Sequence, residues 1–302
     1  MPRTRIRVLA SLLGAAALAA TLTACDAGSD DEGTVHVVAS TDVYGDLAAS
    51  VGGDLVTVVS IIDDAAKDPH EYQADARTQL AVSRADVVVR NGGGYDDFVD
   101  TLLDAVDNAP AVIDAVALSG YDTTAPDFNE HVWYDYPTIA KVVDALATEL
   151  AAADPAHGDV FFDNAAELAS GLTALEGRTA ALATTWSGTG AAITEPVPLY
   201  LIESMGLVNR TPAAFSEAVE DDTDAPPAAV EEMLDLVATH AVAVLAVNPQ
   251  TGGPQTDAVL AAAEQAGVPQ VEASELLPTG FDYLGWQSRL IDEFAEALEQ
   301  GA

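Results

Sequence analysis

Short runs of valine and isoleucine, scarcely interrupted by polar groups, recur along this chain, and a helical pattern follows each one. They are Val35–Ala39, Val56–Ile62, Asp86–Arg90 and Ala241–Val247. A strand with one wet face alternates apolar and polar residues. A nearly unbroken apolar run marks a strand covered on both faces, as in a parallel sheet with helices packed on each side. The pattern predicts an α/β fold with parallel-type sheets. At 302 residues the chain has room for two ordinary domains.

Two α/β halves can be traced. In the first, the strand at 35–39 leads to a helix at 42–51 and a second strand at 56–62. A polar loop follows at 63–71, then a helix at 75–85, a strand at 86–90 and the turn Asn91-Gly92-Gly93-Gly94. A helix at 96–106 and a strand at 111–116 close this half, and a helix at 137–152 follows it, with Pro137 at its start. From Gly158 to Thr184 a largely apolar series recurs at steps of three and four (Phe161 or Phe162, Ala165, Leu168, Leu172, Leu175, Thr179, Leu182), which predicts one long helix. In the second half, strands are expected at 191–194, 241–247 and 268–273. Helices are expected at 196–206, 212–220, 228–239, 254–266 and 282–299. The expected organisation is therefore an N-terminal α/β domain at 35–157, a rigid linking helix at 158–184 and a C-terminal α/β domain at 185–302, with a ligand site in the cleft between the domains. A helix through the junction resists bending and limits opening to small shifts, which suits a ligand that needs little enclosure.

The formal charge of −38 disfavours nucleic acid and an anionic lipid surface as partners. At the N-terminus Arg3, Arg5 and Arg7 precede an apolar stretch from Val8 to Leu22, followed by Leu22-Thr23-Ala24-Cys25. A basic region, a short apolar core and small residues before a cut site describe a secretory signal over residues 1–24. Cys25 is the sole cysteine, so no internal disulfide can form. Its place after Leu-Thr-Ala resembles the bacterial lipoprotein signal, in which that cysteine carries the lipid. Residues 25–34 then read as a small, acidic tether.

Ligands of open α/β sheets collect beyond the C-terminal ends of the strands. Four candidates stand just past such ends or beside them: His70 in Asp68-Pro69-His70-Glu71, His131 in Asn129-Glu130-His131-Val132-Trp133, Glu195 after the strand at 191–194, and Glu275 after the strand at 268–273. Two imidazoles and two carboxylates suit Mn²⁺ or Zn²⁺, and the two carboxylates balance a divalent charge. Imidazole nitrogen favours a transition metal over Ca²⁺ or Mg²⁺. The alternative for each histidine is a loop ring that is solvated or hydrogen-bonded. The other histidines look ordinary: His36 on a strand, His157 in a turn, His240 at a helix end. Asn91, Tyr95, Trp133 and Tyr283 are candidates to support the site from behind, although the aromatic residues read equally well as core. Gly92-Gly93-Gly94 lacks phosphate-loop spacing and reads as a tight turn.

The segments DPHEYQ at 68–73, RNGGGYDDFVDTLL at 90–103, NEHVWYD at 129–135, ITEPVPLYLIESMGL at 193–207 and LLPTGFDYLGWQSRL at 276–290 resemble the substrate-binding lipoproteins of zinc and manganese ABC importers. They occur in that family's order and span most of the chain beyond the signal. The resemblance implies four ligands: His70 after Asp-Pro, His131 before Val-Trp, Glu195 after Ile-Thr, and Glu275 ahead of the Asp-Tyr pair. The family's usual Asn-Pro-His is here Asn129-Glu130-His131, and its Asp-Pro after the tryptophan is Asp135-Tyr136. Residues 117–128 lack the histidine-rich stretch of many zinc-specific members. With Glu195 third, that resembles members taking manganese or either ion.

The resemblance implies an extracytoplasmic, lipid-anchored monomer that is not an enzyme. It would capture Mn²⁺ or Zn²⁺ as cargo and deliver it to the permease of an ABC importer at the outer face of the cell membrane. Two other functions compete: a binding lipoprotein for a metal chelate or haem, and a metal-dependent hydrolase, which would keep an open coordination position for water.

Overall fold

The computed structural model describes residues 34–64, 72–126 and 128–301. The signal, Cys25 and the loop that carries His70 lie outside the described residues. The first half contributes β1 (Val35–Thr41), α1 (Asp42–Gly52), β2 (Val56–Ile62), α2 (Ala76–Val82), β3 (Val87–Arg90), α3 (Phe98–Asp104), β4 (Ala111–Asp114) and α4 (Ala115–Ser119). Helices α5 (Tyr136–Ala153) and α6 (Gly158–Trp186) follow. The second half contributes β5 (Gly190–Ile193), α7 (Leu199–Ser204), β6 (Val208–Asn209), α8 (Ala213–Glu220), α9 (Pro227–Ala238), β7 (Val244–Val247), α10 (Pro254–Ala266), β8 (Gln270–Glu272) and α11 (Tyr283–Gln300).

Each half is a four-stranded sheet, ordered β2-β1-β3-β4 and β6-β5-β7-β8. Every neighbouring pair is parallel. The strand order reverses between β1 and β3, and again between β5 and β7. Those switch points are where crevices open at the strands' C-terminal ends. The fold class is the α/β arrangement that the valine runs predict.

Three local differences have physical causes. The strand expected at 111–116 ends at Asp114, whose side chain accepts from the backbone N–H of Ala117 at 2.8 Å and starts the short α4. The helix expected at 196–206 begins at Leu199, because Pro196 and Pro198 hold the chain out of the helical conformation until then. Strand β6 has two residues, too few to leave a periodic trace.

One buried core runs through both halves. It joins Val37 and Val89 of the first sheet, Ile139 and Leu146 of α5, Leu168 and Leu172 of α6, and Trp286 and Phe294 of α11 to Ile193 and Val244 of the second sheet. Helix α6, about 43 Å long at 1.5 Å per residue, is tied at both ends. Near its start Asn164 Nδ2 donates to the carbonyl of Val51 at 3.0 Å, in the last turn of α1. Near its end Arg178 donates to the carbonyl of Ser288 at 3.2 Å and pairs with Asp292, both on α11. Gly171 explains itself here. A Cβ at that position would fall 2.4 Å from Leu284 Cδ1, so the missing side chain lets α6 and α11 approach closely.

The segment after β8 crosses back to the first half. Leu276 is buried among Val38, Ile62, Val88 and Leu102. Backbone N–H groups of Leu277 and Tyr283 donate to Asp42 and Asp46 of α1 at 3.1 and 2.8 Å. Burial pushes the Asp42 carboxyl up to about 6, against the opposing pull of the Leu277 hydrogen bond. A carboxyl raised by folding contributes stability that is complete below its unfolded value of 3.8 and lost as pH rises through 6. Asp42→Asn removes the charge and keeps an acceptor for Leu277. After discounting for partial exposure, it is expected to stabilise the protein by about 1 kcal/mol above pH 7 and to leave it unchanged below about pH 4. Urea unfolding at the two pH values tests this, and equal effects at both would refute it.

Candidate metal centre

His131 sits just before the 3-10 turn Val132–Tyr134 that leads into α5. Asn129 Oδ1 accepts from the backbone N–H of His131 at 3.2 Å and from its ring Nδ1 at 2.6 Å. An amide oxygen can only accept, so Nδ1 carries a proton and Nε2 is the ring nitrogen whose lone pair can be offered to a cation. The other end of the Asn129 amide donates to the carbonyl of Pro196 at 3.1 Å, which links this segment to the turn after β5. Trp133 meets the imidazole edge-on at 5.0 Å between ring centroids, and Tyr95 at 6.0 Å.

Glu195 follows β5, and Glu275 follows β8. His131, Glu195 and Glu275 are 0, 2 and 1% exposed. The carboxylates are gathered by Asn248, the first residue beyond β7. Its Nδ2 donates to Glu195 Oε2 at 2.7 Å and to Glu275 Oε1 at 2.8 Å. Asn248 is held in turn by its backbone N–H, which donates to Thr194 Oγ1 at 3.0 Å. Gln250 Oε1 accepts from the backbone N–H of Glu275 at 2.6 Å. Three C-terminal strand ends of one sheet thus converge through a single amide. The hydroxyl of Tyr95 interacts with the Glu275 carboxylate, and burial together with that negative charge holds its proton on well above the ordinary phenol range.

The other supporting candidates act on the backbone near His131. Asn91 Nδ2 donates to the carbonyl of Glu130 at 2.9 Å. The Asn91 backbone is fixed by Asp96, whose carboxylate accepts from the N–H groups of Asn91 and Gly92 at 2.7 and 2.8 Å. Gly92 has φ +79°, and a Cβ there would meet Asp114 Oδ1 at 2.4 Å, so the turn requires glycine. Tyr283 donates its hydroxyl to the carbonyl of Trp133 at 2.7 Å.

Among the participants that were not singled out from the sequence are Asn248 and Glu220. Glu220 ends α8, and its Oε1 lies 3.6 Å from His131 Nε2. Burial first, then the negative charges of Glu130, Glu195 and Glu275, push its carboxyl up to about 9. Four carboxylates therefore share one neighbourhood with the imidazole. In the described residues, ligand-capable atoms of Glu130, His131 and Glu220 lie within 4.8 Å of one another. Asn248 had a usable signal, a polar residue just past a strand end. Glu220 is one of 49 acidic residues and had none. The donor set, one imidazole nitrogen with buried carboxylate oxygens, matches the chemistry of a divalent transition cation.

Two parallel sheets on a shared core, with charged groups collected at strand ends between them, define a two-lobed α/β binding protein. The model of the ZnuA family, zinc-uptake complex component A periplasmic, matches residues 37–297. The chain belongs to that family. Among curated proteins it is similar to the manganese-binding lipoprotein MntA of Halalkalibacterium halodurans, 30% identical over 167 residues, 51% of this chain and 54% of that one. It is also similar to the zinc-binding lipoprotein AdcA of Streptococcus pneumoniae, 28% identical over 182 residues, 55% of this chain and 36% of that one. The matched stretch thus spans about half the length of MntA. Among solved structures, the periplasmic zinc binding protein TroA of Treponema pallidum superposes with TM-score 0.73 at 16% identity, over 88% of this chain and 99% of that one. The SBP FpvC of Pseudomonas aeruginosa, solved with Ni²⁺, gives 0.72 at 21%, over 89% and 98%. At these identities the superpositions concern the fold.

Proposed function

We propose that this protein is an extracytoplasmic solute-binding protein that captures a divalent transition metal, Mn²⁺ or Zn²⁺, and delivers it to the permease of an ABC importer. The cation is cargo and undergoes no chemistry. It is held by His131, Glu195 and Glu275, with His70 supplied by the loop after β2. The observation that carries this reading is the Asn248 clamp. One amide holds two buried carboxylates together near an imidazole whose tautomer Asn129 has set. Nothing but a cation, or protons, would relieve that concentration of negative charge.

The lobes correspond to 35–157 and 185–302, with the helix at 158–184 between them. The core running through both and the ties at each end of α6 support a small opening motion. Release would then follow a slight lobe shift on docking to the permease. Lipid on Cys25, after removal of residues 1–24, would anchor a monomer to the outer face of the membrane. Family membership and the names of the curated relatives support this over a chelate or haem carrier and over a hydrolase.

Elemental analysis and competition titration with Mn²⁺ and Zn²⁺ test the reading, repeated on His70→Ala and Glu195→Ala. The wild type is expected to bind one equivalent, and each variant to lose more than about 100-fold in affinity, since even outer partners of a metal site are worth 10- to 100-fold. Full affinity in both variants would remove the proposed site.

A further inference from the structure

Glu220 lies outside the set of four ligands, yet its carboxylate closes on the His131 ring nitrogen that faces the cluster. Its Oε1 is 3.6 Å from Nε2, and Glu130 completes a group within 4.8 Å. Two donors about 2.1 Å from a shared ion, at angles between 90° and 110°, stand about 3.0 to 3.5 Å apart. The observed spacing is within a few tenths of an ångström of that range. The side chain is placed from behind. Phe215 and Val219 of α8 are buried in the core under the second sheet, which fixes the roll of the helix and turns Glu220 inward. Its carboxyl is mostly buried, with Oε1 shielded from solvent. A surface glutamate has no such placement, because a helix-end carboxylate is far better solvated outside.

We propose that Glu220 is a further ligand for the captured cation, adding an oxygen to the four-residue set and biasing the site toward Mn²⁺ over Zn²⁺. This rests on the metal-capture reading above. Four protein donors complete the tetrahedral shell that structural zinc takes. A fifth donor, a hard carboxylate oxygen, adds little to a shell already closed at four. Mn²⁺ accepts a larger, oxygen-rich shell of octahedral type, so the same oxygen strengthens its binding. The added charge acts in the same direction, since hard oxygen donors favour the harder ion. Glu130 stands where the family's motif usually has proline. It adds a second carboxylate beside His131 and keeps this side of the site acidic.

The test compares wild type with Glu220→Gln, a near-isosteric change, and with Glu220→Asp, one methylene shorter. Glu217→Gln, exposed on the same helix, is the control. Mn²⁺ and Zn²⁺ affinities are measured by competition against a chelating dye, and Co²⁺ visible absorption reports coordination number. Glu220→Gln is expected to weaken Mn²⁺ at least tenfold and Zn²⁺ less than threefold, with Glu220→Asp between. The Co²⁺ d–d bands, weak in the wild type as for five or six donors, are expected to intensify several-fold toward the four-coordinate pattern. Unchanged Mn²⁺ affinity in Glu220→Gln, or equal losses for both ions with unchanged Co²⁺ bands, overturns the proposal. A wild type that binds neither ion overturns the capture function itself, a distinct result.

Discussion

Asn248→Leu is expected to cost the metal-free protein about 3 kcal/mol, because the amide it removes makes two hydrogen bonds to buried carboxylates. Leucine has the branched shape of asparagine and is no smaller, so no cavity adds to the loss. What remains is a pair of carboxylates facing each other with their shared donor gone. Breaking such an arrangement by deleting one partner is among the more costly single changes. At the size of this protein, about 3 kcal/mol corresponds to a fall in Tm of roughly 6 to 10 °C. Saturating Mn²⁺ is expected to return most of that difference, since the cation supplies the positive charge that the amide dipole had provided. Thermal unfolding with and without metal checks both parts. An equal loss in both conditions would mean that Asn248 acts only as a packing residue, and that the two glutamates do not share an ion.

Parts of this arrangement were legible in the sequence for definite reasons. The valine runs identify strands because a doubly covered strand has no polar face to hide. Glu195 and Glu275 could be found because the rule that ligands gather past strand ends needs only the strands. Asn248 obeys the same rule, one residue past Val247, but an uncharged amide does not advertise itself as part of a cation site. Its role lies in tying two carboxylates together, and that depends on where β5 and β8 end relative to β7. Glu220 is further from reach. Its approach to His131 is set by the seating of Phe215 and Val219, a tertiary fact with no local signature. The shift of α7 to Leu199 was in principle readable from Pro198, whereas the two-residue β6 was not. His70 remains an expectation from the sequence, outside the described residues.

The second large effect is expected at His131, where a ligand and an ordinary core histidine make opposite forecasts. The ring is fully buried against Trp133 and near Tyr95. Phenylalanine, a slightly larger ring, keeps an aromatic face for those contacts. His131→Phe gives up the Nδ1 hydrogen bond to Asn129, while Asn129 Oδ1 still accepts from the backbone N–H of the same residue. The metal-free protein should therefore lose no more than about 1 to 1.5 kcal/mol, the worth of one net hydrogen bond. Affinity for Mn²⁺ and Zn²⁺, by contrast, should fall more than about 100-fold, exceeding the loss from an outer partner. If the ring serves only packing and its bond to Asn129, the stability change is the same small one and metal affinity stays. Parallel measurement of urea unfolding without metal and of competition titration separates the two. The approach of Nε2 to Glu220 Oε1 at 3.6 Å, close to the spacing of two donors on one cation, is why the first pattern is expected.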